Sequence, residues 1–570
     1  MGTLDEPIER TQRTFIKLSL GILCGILLLI VFGWGGCRGY RIWEERQQVR
    51  HATAFLEAGK FNPAALSARR ALQLNPNSTG AMRVMAQLAE RSHDRVALDW
   101  RRKIVELNPR STEDAIALSN CALQFGDIRT AEKTLLGIGQ DARETAEFHA
   151  ALARLARTRK NPAEARDEFG KALRLAPNNE ALQMDYALVC LDQPTKAQRD
   201  EGIQILERLR QSPTQRAAAT RALFLDGVAH RHDPISLRDL ARELQSYPEA
   251  LFSDRLLYLG VLRQLRDPKY PGYLTEIEKD AASKPADLAA LFSWMNMNQM
   301  SLVAMDFSRS VDPEVLKQWP VPWALAEAHV KMSDWVGLEK LTATANWGNF
   351  DFLRHAYLTR AYRGQNNAAA ATREWTTATK SAGEKSQSLL QLTRVIYEWD
   401  WKNEGIDLLW QLAKYPEMQF EALHALYLHY TKTGDTHGLY RVVSRLNEID
   451  PGDLKVQNNL AQISLLLGVD LERAVKRATD LYGKDPSNPA YVSTYAFALY
   501  RKGDVPGALA AMSRLPEEQL RDPSLAAYYA IFLSASGDKE RARSYLEQGK
   551  EAFLLPEEKA LVERSAATLQ

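Results

Sequence analysis

The chain has few cysteines and almost no net charge. Its 570 residues include 4 cysteines, and 73 basic residues balance 71 acidic ones to leave a net charge of +2. Cys121 and Cys190 fall in predicted helices two repeats apart, too far for a disulfide, so they are expected to be buried small apolar residues. The charge balance lacks the basic excess of a nucleic-acid-binding surface, and no nucleic-acid partner is predicted.

The sequence also lacks recognisable catalytic motifs. It has no phosphate-binding Gly-rich loop, no nucleophile elbow and no paired histidines at zinc-protease spacing. The segment from His230 to Asp233 (HRHD) contains metal-ligand types, but between two helices it is more typical of a polar turn. We therefore predict no catalytic residues, no cofactor and no metal site. An enzyme with an unmarked site in residues 214–320, the least regular stretch, is the weakest alternative.

One long apolar run interrupts an otherwise mixed sequence. Residues 18–37, LSLGILCGILLLIVFGWGGC, contain no charge and match the length of a membrane-spanning helix, preceded by a tail of residues 1–17. A signal peptide or a lipoprotein signal ending at Cys37 is the competing interpretation, although Trp34 fits either cleavage site poorly. Basic residues flank the run almost evenly, so orientation is weakly indicated. We expect the following domain to lie outside the cytoplasm, which would be the periplasm if the chain comes from a bacterium with two membranes.

A pattern recurs about every 34 residues over the rest of the chain. It consists of glycine or a polar substitute, then an apolar residue two positions later and a small residue three positions after that. Gly503 and Gly537 are 34 residues apart. Clear copies are Gly59–Ala64 (GKFNPA), Gly126–Ala131 (GDIRTA), Gly503–Ala508 (GDVPGA) and Gly537–Ala542 (GDKERA). A period of this size indicates an array of small units, each too short to bury its own apolar face.

Each unit contains two apolar-periodic stretches around the glycine turn. In the first unit these run from about residue 45 to 58 and from 62 to 74, where Asn75-Pro76 ends the second. Aspartates after the glycine are expected to cap the second helix. Alanines spaced by three or four residues in that helix, such as Ala64, Ala68 and Ala71, favour close helix packing.

These features resemble the tetratricopeptide repeat family over most of the chain after residue 45. The resemblance implies an all-α fold, a right-handed α-solenoid of tetratricopeptide-like helix pairs, here preceded by the membrane-spanning helix. We divide it into N-terminal repeats (45–213), degenerate helical repeats (214–320), C-terminal repeats (321–556) and a C-terminal cap or tail (557–570).

In this family the first helices of successive units line a groove that binds protein partners. Carrying that property to this chain selects apolar and aromatic positions on the first helices of the C-terminal half. The candidate partner-binding residues are Tyr362, Val395, Trp399, Leu428, Ile463, Phe497, Tyr500 and Arg501. A shift of one residue in register would instead bury them as core.

The functional prediction is a membrane-anchored scaffold that holds a protein or peptide partner at a membrane surface. Such proteins resemble accessory subunits of bacterial envelope assembly, secretion or polysaccharide export machinery. The main alternative is a self-associating structural component of the cell envelope, which would form homo-oligomers.

Overall fold

The structure, a computed structural model, describes residues 39–343, 345 and 347–569, and every regular element within them is helical. The tail 1–17 and the predicted membrane-spanning segment 18–37 lie outside the described residues. Among the residues described, no helix combines the length and the apolar character needed to cross a membrane.

The helices form two compact units, which divide between Ile277 and Glu278. The helices of the first unit are α1 (39–57), α2 (Phe61–Leu74), α3 (Thr79–Arg91), α4 (Val96–Leu107), α5 (Thr112–Gln124), α6 (Ile128–Leu136), α7 (Ala146–Thr158), α8 (Pro162–Leu175), α9 (Glu180–Leu191), α10 (Lys196–Leu209), α11 (Arg216–Ala229), α12 (Pro234–Ser246) and α13 (Phe252–Gln264). Helix α14 (Tyr270–Ala281) contains the division point.

The second unit continues the same alternation of helices. Its helices are α15 (Pro285–Met297), α16 (Ser301–Ser308), α17 (Pro313–Leu316), α18 (Val321–Lys331), α19 (Trp335–Ala343), α20 (Asp351–Gly364), α21 (Ala368–Ala382), α22 (Ser386–Glu398), α23 (Lys402–Leu412), α24 (Gln419–Thr433), α25 (Thr436–Ile449), α26 (Leu454–Leu467), α27 (Leu471–Lys484), α28 (Pro489–Arg501), α29 (Val505–Met512), α30 (Glu517–Leu520), α31 (Pro523–Ser536), α32 (Lys539–Gly549) and α33 (Pro556–Ala567).

Consecutive helices within each unit pack as hairpins. Helix α7 packs on α8, α20 on α21 and α31 on α32, and the first helix of one pair also contacts the first helix of the next, as α26 contacts α28. Within each unit, most of the described helices therefore form tetratricopeptide-like pairs, as the repeat pattern predicts.

The turn inside most pairs has a left-handed residue, which is glycine in several of them. Gly59, Gly126 and Gly434 have φ of 70°, 77° and 69°. A residue without Cβ adopts this conformation at little cost. In pairs whose turn lacks that glycine, the same backbone is taken by polar or charged residues, among them His93, Lys160 and Asn366. The turn geometry thus persists where the glycine signal fades.

Aspartates after the turn cap the following helix, as predicted. Asp127 accepts a hydrogen bond from the backbone N–H of Thr130 at 3.0 Å, and Asp435 accepts one from Gly438 at 2.8 Å. Each bond satisfies a backbone donor that the first helical turn leaves without a partner.

Small residues allow the helices of the array to approach closely. Ala64, Ala68 and Ala71 of α2 are fully buried, as are Ala165 and Ala172 of α8. A methyl group fills the contact without pushing the two backbones apart, so the alanine periodicity seen in the sequence marks the faces where helices meet.

Arginine–aspartate pairs join successive first helices in the first unit. The guanidinium of Arg83 in α3 contacts both carboxylate oxygens of Asp114 in α5, at 2.8 and 2.7 Å, and lowers the pKa of that carboxyl. Arg221 in α11 holds Asp254 in α13 in the same two-pronged way, at 2.7 and 2.6 Å. The aspartate side chain is buried in both pairs. Such pairs fix the register between neighbouring units because a planar guanidinium matches a carboxylate in one orientation.

Replacing one arginine of these pairs should destabilise the first unit. Arg221→Leu leaves the buried carboxylate of Asp254 without its cation, and we expect a loss of about 3 kcal/mol in the free energy of unfolding, measured by urea denaturation. Arg309→Leu is the control, because the pair between Arg309 and Asp306 is exposed and should contribute less than about 1 kcal/mol. Equal small losses for the two variants would contradict the assigned role of Arg221.

Candidate functional site

A cavity opens between the first helices of three successive pairs in the second unit. Its volume is about 450 Å³. Helix α26 contributes Gln462, α28 contributes Ala490 and Ser493, and α31 contributes Leu525 and Tyr528. We call the surface formed by these five residues the first-helix groove. It combines apolar surface with hydroxyl and amide groups, a mixture suited to a peptide or protein segment.

Tyr528 forms the floor of the first-helix groove. Its hydroxyl donates a hydrogen bond to a carboxylate oxygen of Glu558 at 2.5 Å and accepts one from the side-chain amide of Gln462 at 3.1 Å. Burial, reinforced by the negative charge of Glu558, raises the pKa of Tyr528 well above its usual value. The phenol therefore stays protonated and acts as a hydrogen-bond donor to an acidic group throughout the physiological pH range.

The acidic group comes from α33, the last of the described helices. Glu558 also accepts a hydrogen bond from the backbone N–H of Leu555 at 2.8 Å, which caps the start of α33, and another from Gln462 at 3.2 Å. The neighbouring Glu557 accepts a hydrogen bond from the hydroxyl of Thr436 at the start of α25. The first turn of α33 thus lies against helices that are distant in sequence.

The structure divides the eight residues predicted from the sequence into two sets. Val395, Trp399, Ile463 and Phe497 are buried in the core of the second unit. Phe497 is fully buried, and its ring lies edge-on to that of Tyr528 with 5.1 Å between centroids. These four side chains offer almost no surface to a partner, because adjacent first helices pack on the face that the repeat register assigned to the groove.

The remaining four predicted residues have solvent-accessible surface. Leu428 is 55% exposed, and Tyr362 and Tyr500 are half-buried. Arg501 is exposed overall, and its guanidinium donates hydrogen bonds to the backbone carbonyls of Leu465 and Leu466. None of the four lines the cavity, and their role in binding a partner stays a prediction.

Sequence reasoning missed Gln462, Tyr528 and Glu558. The one local signal is the segment Leu555-Pro556-Glu557-Glu558, in which a proline at the first helical position precedes a glutamate at the third. That pattern predicts the start of a helix, but nothing in it indicates contact with α26, which lies nearly one hundred residues earlier.

Part of the tryptophan-rich stretch from Trp294 to Trp410 lies in the core of the second unit. Trp347, Trp399 and Trp401 are buried. The guanidinium of Arg360 lies 5.6 Å from the ring centres of Trp335 and Trp399 and 5.5 Å from that of Trp401. A cation surrounded by aromatic faces is stabilised by their π-electrons, so these rings are already engaged by a cation from the same chain.

A half-buried carboxyl lies at the edge of the same aromatic cluster. Glu327 accepts a hydrogen bond from the hydroxyl of Tyr357, which in turn accepts one from the indole N–H of Trp323 at 2.9 Å. Burial, with a smaller contribution from the charge of Glu398, raises the pKa of Glu327 to about 7. This group titrates near neutrality, but it contacts core aromatics rather than an open site.

The histidine-containing segment 230–233 forms the polar turn expected from the sequence. Arg231 has a left-handed φ of 55°, and Asp233 caps α12 by accepting a hydrogen bond from the N–H of Ser236 at 3.1 Å. Within the part of the chain that the structure describes, no group of three or more histidine, cysteine, aspartate or glutamate residues is arranged to hold a metal ion. Cys121 and Cys190 are buried and free, in line with the sequence prediction.

Comparison with known proteins yields no family assignment. No family model and no curated protein matches the chain. Among solved structures, one reported for the functional characterisation of Pseudomonas aeruginosa PilF is 19% identical, with coverage of 39% of this chain and 99% of that chain and a TM-score of 0.31. The APC/C heterotetramer Cut9–Hcn1 is 12% identical, with coverage of 91% and 96% and a TM-score of 0.27.

A third similarity is to Naa15/Naa10 bound to HypK-THB. It is 15% identical, with coverage of 92% of this chain and 79% of that chain and a TM-score of 0.23. TM-scores this low assign neither a fold nor a function to this chain.

Truncating a buried aromatic residue of α28 distinguishes core from binding surface. We expect Phe497→Ala to lower the free energy of unfolding by about 3–5 kcal/mol, since it removes a fully buried ring. Leu428→Ala, at an exposed position on α24, should change it by less than about 1 kcal/mol. Chemical denaturation followed by circular dichroism measures both. A Phe497→Ala chain as stable as the wild type would restore Phe497 to the predicted groove.

Proposed function

We propose that this protein is a non-catalytic scaffold that holds a protein partner in the first-helix groove of its second unit. The observation that carries the proposal is the cavity of about 450 Å³ formed by α26, α28 and α31. It joins the apolar side chain of Leu525 to the polar groups of Gln462, Ser493 and Tyr528. Alternating apolar surface and hydrogen-bonding groups favour a peptide segment over a small metabolite.

We further propose that residues 18–37 anchor the scaffold in a membrane. The support is the length and the apolar composition of the run, which lacks charged residues throughout. A membrane anchor raises the local concentration of the groove near membrane-bound partners. The repeats would then act at the membrane surface, outside the cytoplasm, in envelope assembly, secretion or export. Accessibility of the repeats to protease added to intact cells tests their side of the membrane.

Blocking the cavity tests the binding role. Ala490 is exposed on the first turn of α28 and lines the cavity, so Ala490→Arg fills its mouth without disturbing the core. We expect the full-length variant, purified in mild detergent, to lose at least about tenfold of a co-purifying protein that mass spectrometry identifies with the wild type. Residues 1–45 alone serve as the background control.

The matched control for this substitution is Ala510→Arg, which places the same charge and volume on the exposed side of the second helix α29. It should retain the partner. Equal retention by both variants would contradict binding in the groove. Recovery of the wild-type protein alone, with a mass that rises with concentration in light scattering, would favour the self-associating envelope component instead.

Charges placed in the apolar run test the anchor. We expect the wild-type chain to stay in the membrane pellet after carbonate extraction, and Leu27→Arg with Leu28→Arg to move it to the supernatant. Each arginine at the centre of a span costs about 2.5–3.5 kcal/mol of insertion free energy. Leu27→Ala with Leu28→Ala, which keeps the run uncharged, should remain in the pellet. A wild-type chain found in the supernatant would contradict anchoring by residues 18–37.

A further inference from the structure

Helix α33, the last described helix, does not begin a further helix pair within the described residues. After α32 the chain folds back, and α33 packs mainly on α31, with smaller contacts to both α32 and α26. Glu557 and Glu558 reach Thr436 and Gln462, residues that precede them by 121 and 96 positions. A second contact lies nearer the ends of the two helices, where Ser534 of α31 donates a hydrogen bond to the backbone carbonyl of Ser565 in α33. Helix α33 therefore runs alongside α31 and borders the first-helix groove.

The surface under α33 supplies neutral hydrogen-bond donors to carboxylates. The hydroxyl of Thr436, the amide of Gln462 and the hydroxyl of Tyr528 all donate to Glu557 or Glu558. Glu558 is only 7% exposed. Its negative charge also lies at the N-terminus of α33, where the helix dipole favours an anion. This arrangement recognises the acidic first turn of a helix as a unit.

No apolar side chain within α33 is fully buried. Within the helix, only Glu558 and Ser565 are buried, while Leu561 and Val562 are half-buried. The half-buried side chains of Leu561, Val562 and Ala566, with Leu555 before the helix, pack against the core, and Leu569 beyond its C-terminus is buried. By contrast, α31 buries eight residues, from Ala526 to Leu533. A helix with so few buried apolar side chains opens at a much lower free energy than the core does.

The open cavity lies next to the same donors. Gln462 and Tyr528 contact Glu558 and also line the cavity. The recognition surface therefore continues past α33, and Leu525 and Ser493 remain available to a longer or differently placed segment.

From these contacts we infer that α33 is an intramolecular occupant of a helix-binding site, and that a partner helix displaces it. The partner helix begins like α33, with an apolar residue, a proline at the first helical position and a glutamate at the third. This inference rests on the proposed function and adds a regulatory step to it: the site is closed by the chain's own C-terminus until a partner competes.

A peptide of residues 553–570, labelled with a fluorophore, tests the inference on the full-length chain. Glu558→Ala in the chain removes the carboxylate that fastens its own α33, and we expect this variant to bind the peptide at least about tenfold more tightly than the wild type, because the tethered competitor is weakened. Glu563→Ala, on the exposed side of the same helix, is the matched control and should bind like the wild type. A peptide carrying Glu558→Ala should not bind.

Two results would overturn the inference. One is a Glu558→Ala chain that keeps its melting temperature but does not bind the peptide. The other is a Glu558→Ala chain that loses its fold, which would make α33 part of the core. A Glu558→Ala chain that dimerises in light scattering by exchanging α33 would assign the site to a second copy and would also overturn the partner helix.

Hydrogen exchange on the unmodified chain gives an independent test. The amides of α33 should exchange at least about a hundredfold faster than those of α31, because α33 detaches while the core stays folded. Equal protection in α33 and α31 would overturn the inference without any substitution. Neither the peptide experiment nor the exchange experiment uses a natural partner, so a negative result in them does not contradict the proposed function. Conversely, if Ala490→Arg retains the partner while both of these experiments succeed, the displacement of α33 still holds and only the binding role of the first-helix groove is contradicted.

Discussion

The close approach of paired helices through small residues is the contact on which the rest of the structure depends. Fully buried alanines recur on the packing faces, including Ala68 of α2 and Ala478 of α27. Because the two helices of each pair lie close together, the first helices of successive pairs contact one another, and larger side chains pack between the pairs. In such stacked helix pairs, each pair is stabilised by its neighbours.

The two compact units join their neighbouring helices by different chemistry. In the first unit, buried aspartates such as Asp114 and Asp254 each accept two hydrogen bonds from an arginine in the preceding helix pair. The second unit relies on aromatic packing around Tyr357 and Trp399, whose rings lie edge-on with 4.9 Å between centroids. Charged pairs specify orientation, whereas aromatic rings contribute apolar burial together with a preference for edge-on contact.

Local features of the fold could be predicted from the sequence, and long-range ones could not. The left-handed turn at Gly59 and the cap formed by Asp127 depend on residues within one helical turn, so their pattern is visible in the sequence. The position of Phe497 could not be predicted, since a period of 3.6 residues defines an apolar stripe without saying which neighbour covers it. The contact of Gln462 with Glu558 depends on the path of residues 550–555, which carries no periodic signal.

The first described helix has a mechanical consequence. Residues 39–57 form one uninterrupted helix, a rod of about 28 Å at roughly 1.5 Å per residue. Arg70 grips its Glu44 at 2.9 Å, and the hydroxyl of Ser78 donates a hydrogen bond to Glu45, so α2 and the turn before α3 are fastened to it. A force or torque applied at residue 39 is therefore transmitted to the first helix pair as a rigid-body motion, because no flexible linker separates them.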